Sequence, residues 1–109
     1  GGMFDNPRYA LYKAKYKFII ANKAAQKADY EATIAGKCCE TGDLLQENTL
    51  IQKPAAGDIL AVLATGAYNF SMASNYNRNL RPPVVLVNGS EDKLVVRRQT
   101  YEDIVSCDL

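Results

Sequence analysis

Tyr12, Ala14, Tyr16 and Phe18 interleave with Lys13, Lys15 and Lys17. A period of two sends successive side chains to opposite faces, so the stretch predicts a strand with one basic face. Arg8 and Tyr12 stand just before its lysines, in a segment opened as a turn by Asn6-Pro7. A polar patch over 22–29 separates it from 30–36, where Tyr30, Thr33 and Ile34 favour a second strand. The next stretch, 44–51, has apolar residues at both ends and a polar middle, and fits either strand or helix. Pro54-Ala55-Ala56-Gly57-Asp58 is a turn, and the apolar run 59–64 after it has the length of a central strand buried on both faces. Thr65-Gly66-Ala67-Tyr68 interrupts that run. A short helix or irregular segment follows over 69–76, ended by Asn75-Tyr76-Asn77, and Arg81-Pro82-Pro83 cannot continue a helix. The segments Val84-Val85-Leu86-Val87 and Lys93-Leu94-Val95-Val96-Arg97-Arg98 flank Asn88-Gly89-Ser90-Glu91-Asp92, which predicts a hairpin with Asn-Gly at its tip. Thr100, with Glu102 and Asp103 behind it, offers an N-cap for a short terminal helix. Five or six strands and one or two short helices make the fold mainly β, a Greek-key-like β-barrel or sandwich.

Composition narrows the partners. A chain of 109 residues is the size of one domain. Its 13 basic and 12 acidic residues are scattered, which leaves no electrostatic footprint for nucleic acid or an anionic membrane. The apolar run 59–64 is far short of the roughly 20 residues that span a bilayer, and no charged segment followed by an apolar one opens the chain, so a soluble protein without a secretory leader is expected. Three cysteines, two of them adjacent, suit reduced thiols in a cytoplasm. There is no histidine and no Cys-x-x-Cys spacing, which argues against a metal site and removes the commonest general base.

The chemistry concentrates in Gly36-Lys37-Cys38-Cys39-Glu40-Thr41-Gly42-Asp43. A thiol beside a carboxylate is displayed there where a strand ends and a turn begins.

Three stretches, in order and across nearly the whole chain, resemble the C-terminal domain of the diaminopimelate decarboxylases, pyridoxal-phosphate enzymes of the fold type shared with alanine racemase. Gly1-Gly2-Met3 with Arg8 to Leu11-Tyr12 is similar to the family's Gly-Gly-Met and Arg-Pro-Ala-Leu-Tyr. Cys39-Glu40-Thr41-Gly42-Asp43 resembles Cys-Glu-Ser-Gly-Asp. Gly57-Asp58-Ile59-Leu60-Ala61-Val62 leads through Gly66-Ala67-Tyr68 to Phe70-Ser71-Met72-Ala73-Ser74-Asn75-Tyr76-Asn77. Tyr9 in place of Pro and Thr41 in place of Ser are the departures.

The resemblance implies the last quarter of a larger enzyme, a piece left by truncation or proteolysis. The N-terminal TIM barrel, its Schiff-base lysine and its phosphate loop would lie outside this chain. It implies that Arg8 grips a substrate carboxylate with Tyr12 beside it, and that Tyr68 bonds the phosphate of pyridoxal 5'-phosphate. Glu40 would bind the distal ammonium of meso-diaminopimelate, and Cys39 would protonate the reacting carbon, both across a homodimer interface. The isolated chain would then be inactive. Cys38 and Cys107 are expected as small buried hydrophobes, Asp43 and Asp58 as turn formers, and the lysine stripe and Arg97-Arg98 as solvated faces. Two alternatives stay open. One is a same-fold decarboxylase acting on ornithine, arginine or carboxynorspermidine, although Glu40 favours diaminopimelate; the other is a free-standing β-barrel binding module.

Overall fold

A computed structural model describes all of residues 1–109. The chain divides into two compact units, Gly1–Ala73 and Ser74–Leu109. The fold is mainly β, with three short α-helices where one or two were expected. Its strands pair as three separate two-stranded antiparallel ladders, and no closed barrel forms.

In the first unit, α1 (Arg8–Tyr12) precedes β1 (Phe18–Ile20), β2 (Tyr30–Ala35), β3 (Leu44–Ile51), β4 (Leu60–Val62) and α2 (Asn69–Met72). β1 pairs with β4 and β2 with β3. Phe18 and Ile20 of β1 meet Ile34 of β2 and Leu45 and Ile51 of β3 in one buried cluster.

The strand expected over 12–18 is corrected. Pro7 needs no hydrogen-bond partner for its missing N–H and opens a helix there, and Lys13 ends that helix at φ 58. The alternation holds only from Ala14 on, where Ala14 and Tyr16 are half-buried and Phe18 buried while Lys15 and Lys17 are exposed; Tyr12, on the helix, is exposed. The ladder does not hold, because the Tyr16 N–H is taken by Gln46 Oε1 at 2.7 Å. A period-two pattern reports an extended backbone and says nothing of who receives its hydrogen bonds.

The ambiguous stretch 44–51 is the longest strand. Its pairing slips between Ala32 and Ile34 and again between Ile34 and Ala35, and Asn48 sits at φ 50. These bulges turn the neighbours Leu45 and Gln46 both inward, which erases the alternation that would have identified a strand.

The run 59–64 is not a central strand either. Only three of its residues pair, on one side, with β1, and Ile59 is 65% exposed. Ala64, at φ 57, turns the chain away directly afterwards.

Asp58 closes the predicted turn by accepting the Ala55 N–H at 2.7 Å, and also takes Lys23 Nζ at 2.5 Å and Asn22 Nδ2 at 2.7 Å. Hydrogen bonds from Lys23, then Asn22, then the Ala55 backbone lower its carboxyl from 3.8 to about 2. A depressed carboxylate contributes stability that is present above its ordinary value and lost as pH falls through the folded one. The expected result in urea denaturation is a stability gap between the parent and Asp58→Asn that is steady at neutral pH and closes between pH 3.8 and about 2. An equal gap at pH 2 and pH 7 would show that the interaction is not ionic.

In the second unit, a turn over Tyr76–Arg78, with Asn77 and Arg78 at positive φ, precedes β5 (Val84–Asn88), β6 (Glu91–Val96) and α3 (Tyr101–Val105). The hairpin forms as predicted, but its tip moves one residue. Asn88 pairs with Glu91, so the loop is Gly89-Ser90, and only Gly89 has positive φ, the pattern of a II′ turn. Thr100 and Asp103 complete a reciprocal capping box on α3. Asp103 also receives the Arg97 fork at 2.6 and 2.7 Å, which holds its carboxyl well below the usual range. Arg97 is therefore a solvated residue with a structural task. Cys107 is exposed in the turn after α3, and Cys38 is half-buried, so neither is a buried core residue. No helix is long and apolar enough to cross a membrane.

Candidate active site

Helical spacing puts Arg8 and Tyr12 on one face of α1, where Arg8 Nε donates to the Tyr12 hydroxyl at 2.5 Å. The extended segment after α1 brings in Tyr16, whose hydroxyl accepts from Arg8 Nη1 at 2.7 Å. The Tyr68 ring completes the group, with Arg8 Cζ 5.1 Å from its centroid. The Tyr12 and Tyr16 rings lie 5.5 and 5.8 Å from the same carbon. Arg8 forms no ion pair, and its pKa is pushed further up, first by the Tyr12 hydrogen bond.

A guanidinium carries five N–H donors, and the two phenols take one at Nε and one at Nη1. The Nη1–Nη2 edge keeps a parallel pair. The phenol oxygens act as acceptors toward Arg8, so their own O–H groups remain for another partner. An unpaired cation ringed by donors is chemistry for a carboxylate or a phosphate.

Tyr9 explains how α1 is aimed. It is buried, and its hydroxyl donates to Glu47 Oε2 on β3 at 2.6 Å. Lys13 Nζ approaches the same oxygen at 3.4 Å and lies over the Tyr9 ring at 4.4 Å. The Tyr9 hydrogen bond lowers the Glu47 carboxyl and raises the Tyr9 hydroxyl. The residue that departs from the resembling pattern is thus the one that docks the helix.

Tyr68 has φ 71 and ψ −42, and the Asn69 N–H bonds the Ala67 carbonyl at 2.9 Å around it. This is a γ-turn of the strained hand, rare for a residue with a side chain. Its exposed ring is presented over Arg8 by that turn.

Cys39 and Glu40 occupy the loop between β2 and β3, both exposed. Glu40 Oε1 accepts the Gly42 N–H at 3.1 Å. Beneath them Asp43, 2% exposed, accepts the Met3 N–H at 2.7 Å and the Cys38 N–H at 2.8 Å. A Cβ on Gly36 would overlap the Asp43 carboxylate, and one on Gly2 would come within 2.6 Å of it. Asp43 is a turn former, since its carbonyl also accepts the Gly36 N–H at 2.7 Å, but it is equally a buried anchor to the N-terminal segment.

The structure brings Arg8, Tyr12 and Tyr68 together. No hydrogen bond, ion pair or ring contact joins Cys39 or Glu40 to them. Sequence reasoning missed Tyr16 and Asn69 at the cluster. It also missed the anchoring role of Asp43, whose only trace is a pair of glycines without positive φ.

A family model described as pyridoxal-dependent decarboxylase, C-terminal sheet domain, matches residues 1–66. The chain is 54% identical over 109 residues to the diaminopimelate decarboxylase of Bacillus subtilis (strain 168), covering 100% of this chain and 25% of that protein. It is 56% identical over 99 residues to that of Bacillus methanolicus, covering 91% of this chain and 23% of the relative. The crystal structure of diaminopimelate decarboxylase from M. jannaschii in complex with L-lysine superposes with a TM-score of 0.87 at 35% identity, over 100% of this chain and 25% of that one. The chain thus spans about a quarter of the length of the curated relatives it matches.

Proposed function

The chain belongs to the pyridoxal-dependent decarboxylases, whose C-terminal sheet domain its residues 1–66 match, and we propose that it is the C-terminal part of an enzyme that converts meso-2,6-diaminopimelate to L-lysine and CO2. The observation that carries the reading is Arg8: a cation without an acid partner, its fork held by two phenols and its remaining edge free. The solved relative bound to L-lysine supports the substrate class.

The donor set fits pyridoxal 5'-phosphate and a dicarboxylic substrate, because every polar group around Arg8 offers N–H or O–H. When bound, the cofactor supplies the electron sink for decarboxylation. Arg8 grips a substrate carboxylate, Tyr12 steadies it, and the Tyr68 hydroxyl faces the phosphate. Glu40 takes the distal ammonium by a charge-assisted contact, and Cys39 Sγ delivers a proton to the reacting carbon. That Cys39 and Glu40 stand apart from the Arg8 cluster supports a composite site, in which they serve the partner subunit of a homodimer. Residues 1–109 act as one C-terminal domain against an N-terminal TIM barrel that carries the Schiff-base lysine. The finer architecture belongs to the same reading: β1 packs on β3 while pairing with β4, as in a Greek-key-like barrel or sandwich. The enzyme is cytoplasmic.

The test is CO2 release by the full-length protein from meso-2,6-diaminopimelate, ornithine and arginine. The expected outcome is cofactor-dependent turnover of the first alone, no turnover by the 109-residue chain, and a raised KM in Glu40→Gln. Preference for ornithine, or turnover by the pure chain, would overturn it.

A further inference from the structure

Tyr16 and Tyr68 reach Arg8 from distant parts of the chain, yet one side chain touches the supports of both. Asn69 is 6% exposed. Its Nδ2 donates to the Thr65 carbonyl at 2.9 Å and to the Tyr16 hydroxyl at 3.5 Å. Its backbone N–H closes the γ-turn around Tyr68 on the Ala67 carbonyl at 2.9 Å. The Tyr16 oxygen therefore accepts from Arg8 Nη1 and from Asn69 together. A continuous path of hydrogen bonds runs from the guanidinium through one phenol and one amide to the turn that presents the other phenol.

Two observations give this path weight. A strained backbone persists only where its surroundings over-determine it, and the Asn69 side chain spans the Tyr68 turn back to Thr65. In addition, Asn69 Oδ1 is buried without a partner. A buried polar side chain with an orphaned acceptor is present for its donors, and here both donors are in use.

We infer that Asn69 is a positioning residue that couples Arg8, through Tyr16, to the turn holding Tyr68. The group that grips the substrate carboxylate and the group that faces the cofactor phosphate are thereby kept at a set separation. This rests on the functional reading above, and it adds Tyr16 and Asn69 to the residues that set the two affinities. Asp at position 69 would fill the same volume but turn an acceptor toward the Thr65 carbonyl, so it cannot replace the amide.

The experiment is a double-mutant cycle in the full-length enzyme with Tyr16→Phe, Asn69→Ala and both together, measuring KM, kcat and the dissociation constant of pyridoxal phosphate. Each single variant should raise KM about tenfold, the scale of one hydrogen bond, with kcat changed less than about threefold. The double variant should be no worse than the singles, because both interrupt the same path. Asn69→Ala should weaken pyridoxal phosphate by about tenfold while Tyr16→Phe leaves it unchanged, since only Asn69 touches the Tyr68 turn. Should Asn69→Ala fail to fold, Asn69→Leu, which keeps the volume and lacks both donors, is read in its place, with the same shifts in KM and cofactor affinity expected. Additive variants, or a kcat loss with KM and cofactor affinity intact, would overturn the coupling. A parent enzyme inactive on meso-2,6-diaminopimelate would instead overturn the functional reading, and the cofactor measurement would still test Asn69.

Discussion

Arg8→Ala in the full-length protein is expected to lower kcat/KM for meso-2,6-diaminopimelate, the proposed substrate, by about a thousandfold, and Arg8→Lys by about a hundredfold. Truncating one partner of a hydrogen-bonded charge pair at a binding site lowers affinity by orders of magnitude, because the other charge is left without its donors. Lysine restores the charge but not the fork, and it leaves the Tyr12 and Tyr16 oxygens without the donors that order them. The loss should fall mainly on KM, because the proposed contact would be made to a carboxylate in substrate and transition state alike. Arg8 is not part of the buried core, so thermal stability should hardly move. Steady-state kinetics beside a thermal scan checks both, and a wild-type KM in Arg8→Ala would remove Arg8 from the site.

Asp43→Asn is expected to destabilise the cysteine loop by about 3 kcal/mol, which is two hydrogen bonds to a charged group less what the amide oxygen retains. The carboxylate accepts from Met3 and Cys38 with different oxygens. Asparagine can satisfy one of these donors and must turn an NH2 toward the other. Water cannot compensate, because Gly2 and Gly36 close on the carboxylate where any Cβ would intrude. Urea denaturation measures the loss, with Asp29→Asn as control, an exposed residue paired only with Lys27 and expected within about 0.5 kcal/mol of the parent. A change in Asp43→Asn as small as the control's would show that the loop is held some other way.

The parts of the fold legible in the sequence are those with local causes. The capping box on α3, the hairpin at Gly89 and the turn at 54–58 each follow from residues within a few positions of one another. The parts that were not legible depend on partners far away. Gln46, 30 residues on, takes the Tyr16 N–H and ends the ladder that the lysine alternation predicted. The bulges of β3 break the periodicity that would have declared it, and the run 59–64 is apolar without being enclosed. Arg8, Tyr12 and Tyr68 were singled out through resemblance, and the structure brings the three side chains together. Asn69 was not, because asparagine beside a tyrosine has no distinctive chemistry until a hydroxyl from 53 residues away meets it.

The Met3–Asp43 hydrogen bond links the first residues of the chain to the loop that displays Cys39 and Glu40, 40 positions later. Displacing the backbone at Met3 must either break that bond or carry Asp43 with it. Cys38 would follow, since its N–H sits on the other oxygen of the same carboxylate. The opening segment and the thiol loop therefore act as a single mechanical part. A tug at one is transmitted to the other through a single carboxylate.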